Sequence, residues 1–154
     1  MKAVVLKTDN QIHYMDAPKP ALRSGEVLVR VKACGICGSD IRYLEGENPW
    51  SQQTLGYVTQ NPDNMILGHE FAGIVEAVGH EVKHVKVGDR VCVDPNQLCG
   101  TCYYCRSGIG HFCEDMIGIG TTRDGGFAQY CAVNESQVYK LADTTSFEEG
   151  AMTE

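Results

Sequence analysis

Cys99, Cys102, Cys105 and Cys113 form the spacing Cys-x2-Cys-x2-Cys-x7-Cys, and no other stretch limits so tightly what this chain can fold into. A dense run of thiols is neither a strand face nor a helix stripe. It folds round something that neutralises the thiolates, and tetrahedral Zn²⁺ with four sulfur ligands is the usual answer. A bacterial iron–sulfur cluster also begins with two Cys-x2-Cys steps, but its last gap is three residues and a Pro follows. Here the gap is seven and Glu114 follows, with no second run to hold a partner cluster. Free or disulfide-bonded cysteines are the remaining reading. A closed four-sulfur site has no room for substrate, so its role is to pin a loop, and metal binding there is folding free energy for that lobe. His111, inside the lobe, reads as a surface residue rather than a fifth ligand.

The length of 154 residues is enough for one domain with a real core. The net charge of −7 argues against nucleic acid as a partner, because that affinity rests on clustered Lys and Arg. No apolar run approaches the roughly 20 residues needed to span a bilayer. The start is too short and too soon charged for a signal peptide. A cytoplasmic protein is expected, with its eight cysteines serving as ligands or buried thiols.

The pattern along the chain is mainly β with few short helices. Strands are expected over 2–7, 26–33, 70–78, 90–93, 127–133 and 138–141. In the second, Val27, Val29, Val31 and Ala33 share one face while Glu26, Arg30 and Lys32 take the other. Gly73 interrupts the third and marks a bulge or a close backbone approach. Many short strands with Gly, Pro and Asp turns suggest a barrel or sandwich. Ser39 or Asp40 opens a short helix through Leu44, and Ser146-x-x-Glu149 is a capping box for another at the chain end. A domain rarely stops one turn into a capped helix, so residues 1–154 are expected to be an incomplete domain. Residues 45–64 are polar with little periodicity and read as a long loop.

A second constellation stands elsewhere. Cys34-Gly35-Ile36-Cys37-Gly38-Ser39-Asp40 follows the best strand, and Gly68-His69-Glu70 follows the long loop. Together they offer a thiolate, an imidazole and a carboxylate, as catalytic zinc sites do. Singly each piece is weak: Cys34 and Cys37 suit a redox pair, a lone His suits a structural role, and Glu70 suits a solvated carboxylate.

The joint order of these two strings, then Val-Gly-Asp-Arg-Val at 87–91, then the cysteine run, resembles the catalytic domain of the zinc-dependent medium-chain alcohol dehydrogenases. Gly-Ala-Met-Thr-Glu at 150–154 resembles the family's handover to a coenzyme domain, in the form typical of the sorbitol (polyol) and threonine dehydrogenase branch. The resemblance implies a GroES-like partly open β-barrel with the zinc-stapled cysteine lobe. It implies two zinc ions: a structural one on Cys99, Cys102, Cys105 and Cys113, and a catalytic one on Cys37, His69 and Glu70. Glu154 is implied as a fourth ligand or as a group acting through water. Cys37 and Glu70 already cancel the charge of Zn²⁺, and a third anion would weaken it as a Lewis acid. Ser39 aligns with a hydroxyl that relays the alcohol proton, Asp40 with a carboxylate that orients the ligating His, and Tyr43 with a substrate-facing Tyr.

The implied activity is NAD- or NADP-dependent oxidation of a small-molecule polyol or secondary alcohol to a ketone. The coenzyme-binding domain would lie beyond residue 154, the fragment alone would be inactive, and the longer protein would be a homo-oligomer. No nicotinamide site is expected within the chain: Gly118-Ile119-Gly120-Thr121-Thr122-Arg123 lacks the third glycine of a dinucleotide fingerprint. Two departures from the family stand out. Arg42 occupies a position where many members carry a proton-relaying His, and Arg cannot relay a proton near neutral pH. The stretch between Tyr43 and His69 is also long. Cys34 reads as a buried thiol beside the site, Cys92 and Cys131 as small core residues, and His13, His80 and His84 as surface residues. The alternative is a non-catalytic structural zinc-binding module, in which only the cysteine lobe binds metal.

Overall fold

A computed structural model describes residues 1–154. The β-branched run of β3 (Glu26–Cys34) forms an interior strand of the main sheet: Val27 and Val29 are fully buried. It pairs antiparallel with β5 (Phe71–Val78) on one side and β9 (Tyr130–Asn134) on the other. The sheet continues from β5 through β6 (Arg90–Val93) to β10 (Val138–Lys140), giving the order β10-β6-β5-β3-β9. A second antiparallel sheet has the order β2-β1-β4, from β1 (Lys2–Leu6), β2 (Ile12–Asp16) and β4 (Met65–Ile66).

Residues 127–129 stitch the two sheets together. Val4 N–H donates to the Phe127 carbonyl at 2.8 Å, Gln129 N–H to that of Lys2 at 3.1 Å, and Val31 N–H to that of Gln129 at 3.0 Å. This seam makes the partly open barrel expected from the sequence. Its main core includes Val27, Val29, Phe71, Val75, Val91 and Val133. A smaller core of Leu6, Tyr43, Met65 and Leu67 supports the site side.

Gly73 lies opposite Val31, where the β3–β5 register slips. A Cβ there would run into the Arg30 carbonyl, so the glycine permits a close backbone approach. Glu26 alternates with the valines yet is only 5% exposed, held by an ion pair with Arg123.

The helices are short. Those anticipated are α1 (Gly38–Leu44) and α4 (Phe147–Ala151). In α4, Ser146 Oγ accepts from Glu149 N–H at 3.1 Å, and Ser146 N–H donates to Glu149 Oε2 at 2.8 Å. The expectation of an unbroken loop over 45–64 is corrected, because it contains α2 (Pro49–Leu55). Asn48 caps this helix by accepting from Ser51 N–H at 3.1 Å, Pro49 opens it, and Gly56 at φ +79° closes it. Buried polar groups replace an apolar face. Ser51 is fully buried, and its Oγ donates to the Asn48 carbonyl (3.0 Å) and accepts from Thr59 N–H (3.0 Å). Periodicity alone does not register such a helix. No helix is long and apolar enough to cross a membrane.

Candidate metal centre and cleft

The cysteine lobe grows from a two-stranded ribbon, β7 (Asn96–Gln97) with β8 (Ile117–Gly118), and contains α3 (Tyr103–Arg106). Its turns aim backbone N–H groups at sulfur: Cys102 N–H at Cys99 Sγ (3.3 Å), Cys105 N–H at Cys102 Sγ (3.4 Å) and Cys99 N–H at Cys113 Sγ (3.3 Å). The four sulfurs lie within 4.8 Å of one another. Cys99 and Cys105 are 3.9 Å apart, close to the roughly 3.8 Å edge of a tetrahedron with 2.3 Å Zn–S bonds. Hydrogen bonds from the Thr101 and Cys102 backbone pull the Cys99 thiol down to about 6. Desolvation and neighbouring thiols push Cys105 up to about 12. Four crowded sulfurs that cannot all ionise by themselves are the donor set a soft dication accepts, so zinc fits here.

The second group forms where β3 ends. Cys37 directly precedes α1, while His69 and Glu70 directly precede β5, the neighbour of β3. Strand pairing therefore brings residues more than thirty positions apart to one place, and the ligand atoms of Cys37, His69 and Glu70 lie within 4.8 Å of one another. Gly35 makes room: its N–H donates to the Glu70 carbonyl at 2.7 Å, and a Cβ on it would strike the Glu70 carboxylate.

Asp40 is 3% exposed and accepts from Cys37 N–H at 2.9 Å and Gly68 N–H at 3.4 Å. Burial pushes its carboxyl pKa up. Its Oδ1 lies 3.9 Å from His69 Nδ1, a buried nitrogen without a hydrogen-bond partner. Nδ1 thus turns inward and leaves Nε2 as the nitrogen open to a metal. One thiolate, one imidazole and one carboxylate fit Zn²⁺ in number, type and charge.

Beside this group lies a cleft of about 240 Å³ lined by His69, Ser39, Tyr43, Trp50, Gln53, Asn96, Thr121 and Glu154 among others. Ser39, Tyr43 and Glu154, all read from sequence as site residues, therefore share it. Glu154 is not one of the three converging donors. Tyr43 is 1% exposed, and its hydroxyl finds no partner within the chain. Burial raises its pKa. Arg42 serves a different end: its Nε binds Glu47 Oε2 at 2.5 Å and its Nη2 binds Gln52, tying α1 to α2. Cys34 lies behind the site, where burial pushes its thiol up to about 12, so it stays protonated.

Trp50, Gln53, Asn96 and Thr121 are cleft residues that sequence reasoning misses. They come from separate segments and carry no local signal. Only the cap pattern Asn48-Pro49 with Gly56 could have placed Trp50 on a helix.

The alcohol dehydrogenase GroES-like domain family matches residues 23–143. An L-threonine 3-dehydrogenase of Photorhabdus laumondii is 38% identical over 153 residues, 99% of this chain and 43% of that protein. Galactitol-1-phosphate dehydrogenase from Escherichia coli superposes with a TM-score of 0.84 at 33% identity, over 98% of this chain and 41% of its own. A protein described as a short chain alcohol dehydrogenase from E. coli CFT073, complexed with the cofactor NADH, gives 0.85 at 34%, over 99% and 41%. The chain thus spans about two-fifths of the length of these relatives. With the barrel, the cysteine lobe and the converging donors in place, these matches show that the chain belongs to the zinc-dependent medium-chain alcohol dehydrogenase family, as its GroES-like domain.

Proposed function

We propose that this chain is the metal-binding catalytic part of a nicotinamide-dependent dehydrogenase that oxidises a polyol or other secondary alcohol to the ketone. One observation carries the reading: Cys37, His69 and Glu70 converge within 4.8 Å beside a cleft that His69 itself lines. The zinc they would hold supplies Lewis acidity, which lets an alcohol hydroxyl lose its proton near neutral pH.

The chain's own residues do the rest. Ser39 offers the cleft a hydroxyl that both accepts and donates, so it takes the substrate proton and passes it on. Arg42 does not continue that path, since its guanidinium has no lone pair and is engaged by Glu47 and Gln52. The proton leaves Ser39 through cleft water or through the cofactor ribose. Glu154 acts from the cleft wall through solvent; its place outside the donor triad supports this role, and Cys37 with Glu70 already balances a dication. Asp40, 3.9 Å from His69 Nδ1, would orient the ring by closing to a hydrogen bond when a metal is held. Gln53, Asn96 and Thr121 present neutral hydrogen-bonding groups to a hydroxyl-rich substrate, and Trp50 forms an apolar wall that limits water. The nicotinamide cofactor, NAD or NADP, would be bound by a longer protein that carries this chain; the NADH-complexed relative supports that arrangement.

Zinc counting tests the reading. Two ions per chain are expected, falling to one in Cys37→Ser with the lobe intact, and the longer protein with that substitution should lose NAD(P)-linked alcohol oxidation. A single ion in the unsubstituted chain would leave only a structural zinc-binding module.

A further inference from the structure

One buried ion pair lies outside both metal sites. Glu26, at the start of β3, is 5% exposed. Its Oε1 receives Arg123 Nη2 at 2.8 Å, and its Oε2 accepts from Arg23 N–H at 3.0 Å. Pairs this deep contribute little net stability, because desolvation cancels most of the attraction. What such a pair fixes is position.

Arg123 belongs to the glycine-rich turn 118–126, and its carbonyl accepts from Gly120 N–H at 2.6 Å. The next residues clasp the segment that leads into His69. Asp124 Oδ1 accepts from Ile66 N–H at 3.1 Å. Gly125 N–H donates to the Ile66 carbonyl at 2.7 Å, Gly126 N–H to that of Gly68 at 2.7 Å, and Phe127 N–H to that of Leu67 at 3.0 Å. The contact is backbone on backbone: a Cβ on Gly120 or Gly125 would strike the Gly68 peptide. Gly68 itself sits at φ +87° and joins this clasp to His69.

We propose that Glu26 and Arg123 are positioning residues for the metal centre. Their ion pair latches the glycine turn onto Leu67-Gly68 and thereby fixes His69 against Cys37 and Glu70. The proposal rests on the reading of those three residues as metal ligands. The two ends of the latch are unequal. The Arg123 side chain is 26% exposed and that of Glu26 only 7%, so losing Glu26 lets Arg123 swing to water, whereas losing Arg123 strands a buried carboxylate. The recorded contact is a single Nη2–Oε1 bond, so a lysine ammonium can replace it.

The test uses the whole chain loaded with Co²⁺, in unsubstituted form and as Glu26→Gln, Arg123→Gln and Arg123→Lys. Cys37→Ser identifies which absorption bands belong to the Cys37–His69–Glu70 site, and the metal in the cysteine lobe reports folding in the same molecule. Glu26→Gln and Arg123→Gln are expected to weaken Co²⁺ at that site about tenfold or more, by chelator competition, and to shift its bands, with lobe metal retained. Arg123→Lys should restore affinity to within about twofold. Wild-type affinity and bands in both Gln variants would overturn the proposal. Equal loss of both metals in all three variants would also overturn it, because the pair would then hold the fold rather than the site. If the unsubstituted chain takes cobalt only in the lobe, the underlying metal-centre reading fails and the proposal with it.

Discussion

A methyl group at Gly68 has nowhere to go. Its Cβ would meet the Phe127 ring and Cys34 Sγ within 3 Å, and the backbone sits at φ +87°. Left-handed strain and overpacking act together there, each costing about 1–3 kcal/mol. Gly68→Ala is therefore expected to lower the urea midpoint and, with two zinc ions bound as proposed, to release one of them, the lobe ion remaining; metal analysis beside a denaturant titration checks both. The neighbouring candidate ligands stand out in sequence for a local reason. Cys37 lies in one contiguous string and His69-Glu70 in another, so residue type and spacing stand side by side. Arg42 shows the limit of that reading. Its identity marks a departure from the family, but only the structure shows the guanidinium turned to Glu47 and Gln52. The burial of Glu26 is not legible from alternation, because it depends on Arg123, a partner nearly a hundred positions away.

At the scale of elements, the strands are readable wherever β-branched residues alternate, as in β3, and the capped helix α4 is readable from Ser146 and Glu149. The segment 45–64 is not, because it is anchored by the hydrogen bonds of a few buried polar residues, Asn48, Ser51 and Asn61, rather than by an apolar stripe. Asn48 carries much of that network: its Oδ1 caps α2, and its Nδ2 donates to Thr59 Oγ1 at 3.1 Å and to the Gln60 carbonyl at 3.3 Å. Asn48→Ala removes a helix cap and leaves the buried Ser51 N–H unpaired, a loss of about 1–3 kcal/mol. Amide hydrogen exchange should rise across 49–55 while the strands stay protected. Unchanged exchange in α2 would show that the helix does not depend on this cap.

For the whole molecule, acid reports on the joints between sheet and loops. The Lys140 ammonium holds the Asp89 carboxyl below its usual value, at 2.9 Å. The His84 and Lys83 backbone N–H groups do the same for Glu135. A carboxyl whose pKa is lower in the folded state contributes stability above its unfolded value and loses it as pH falls towards the folded one. The contribution of these two carboxylates to the urea midpoint should thus stay level from neutral pH to about 5 and then decline. Asp89→Asn should make that decline shallower; an unchanged slope would show that this joint contributes nothing.

Two metal sites with separate duties, one pinning a lobe and one open to a cleft, are the central feature we propose for the molecule. Anomalous diffraction at the zinc edge, from crystals of this chain grown with zinc, tests that most directly. Two peaks are predicted, one among Cys99, Cys102, Cys105 and Cys113 and one among Cys37, His69 and Glu70. A lone peak in the cysteine lobe, with those three side chains unmetallated, would contradict it.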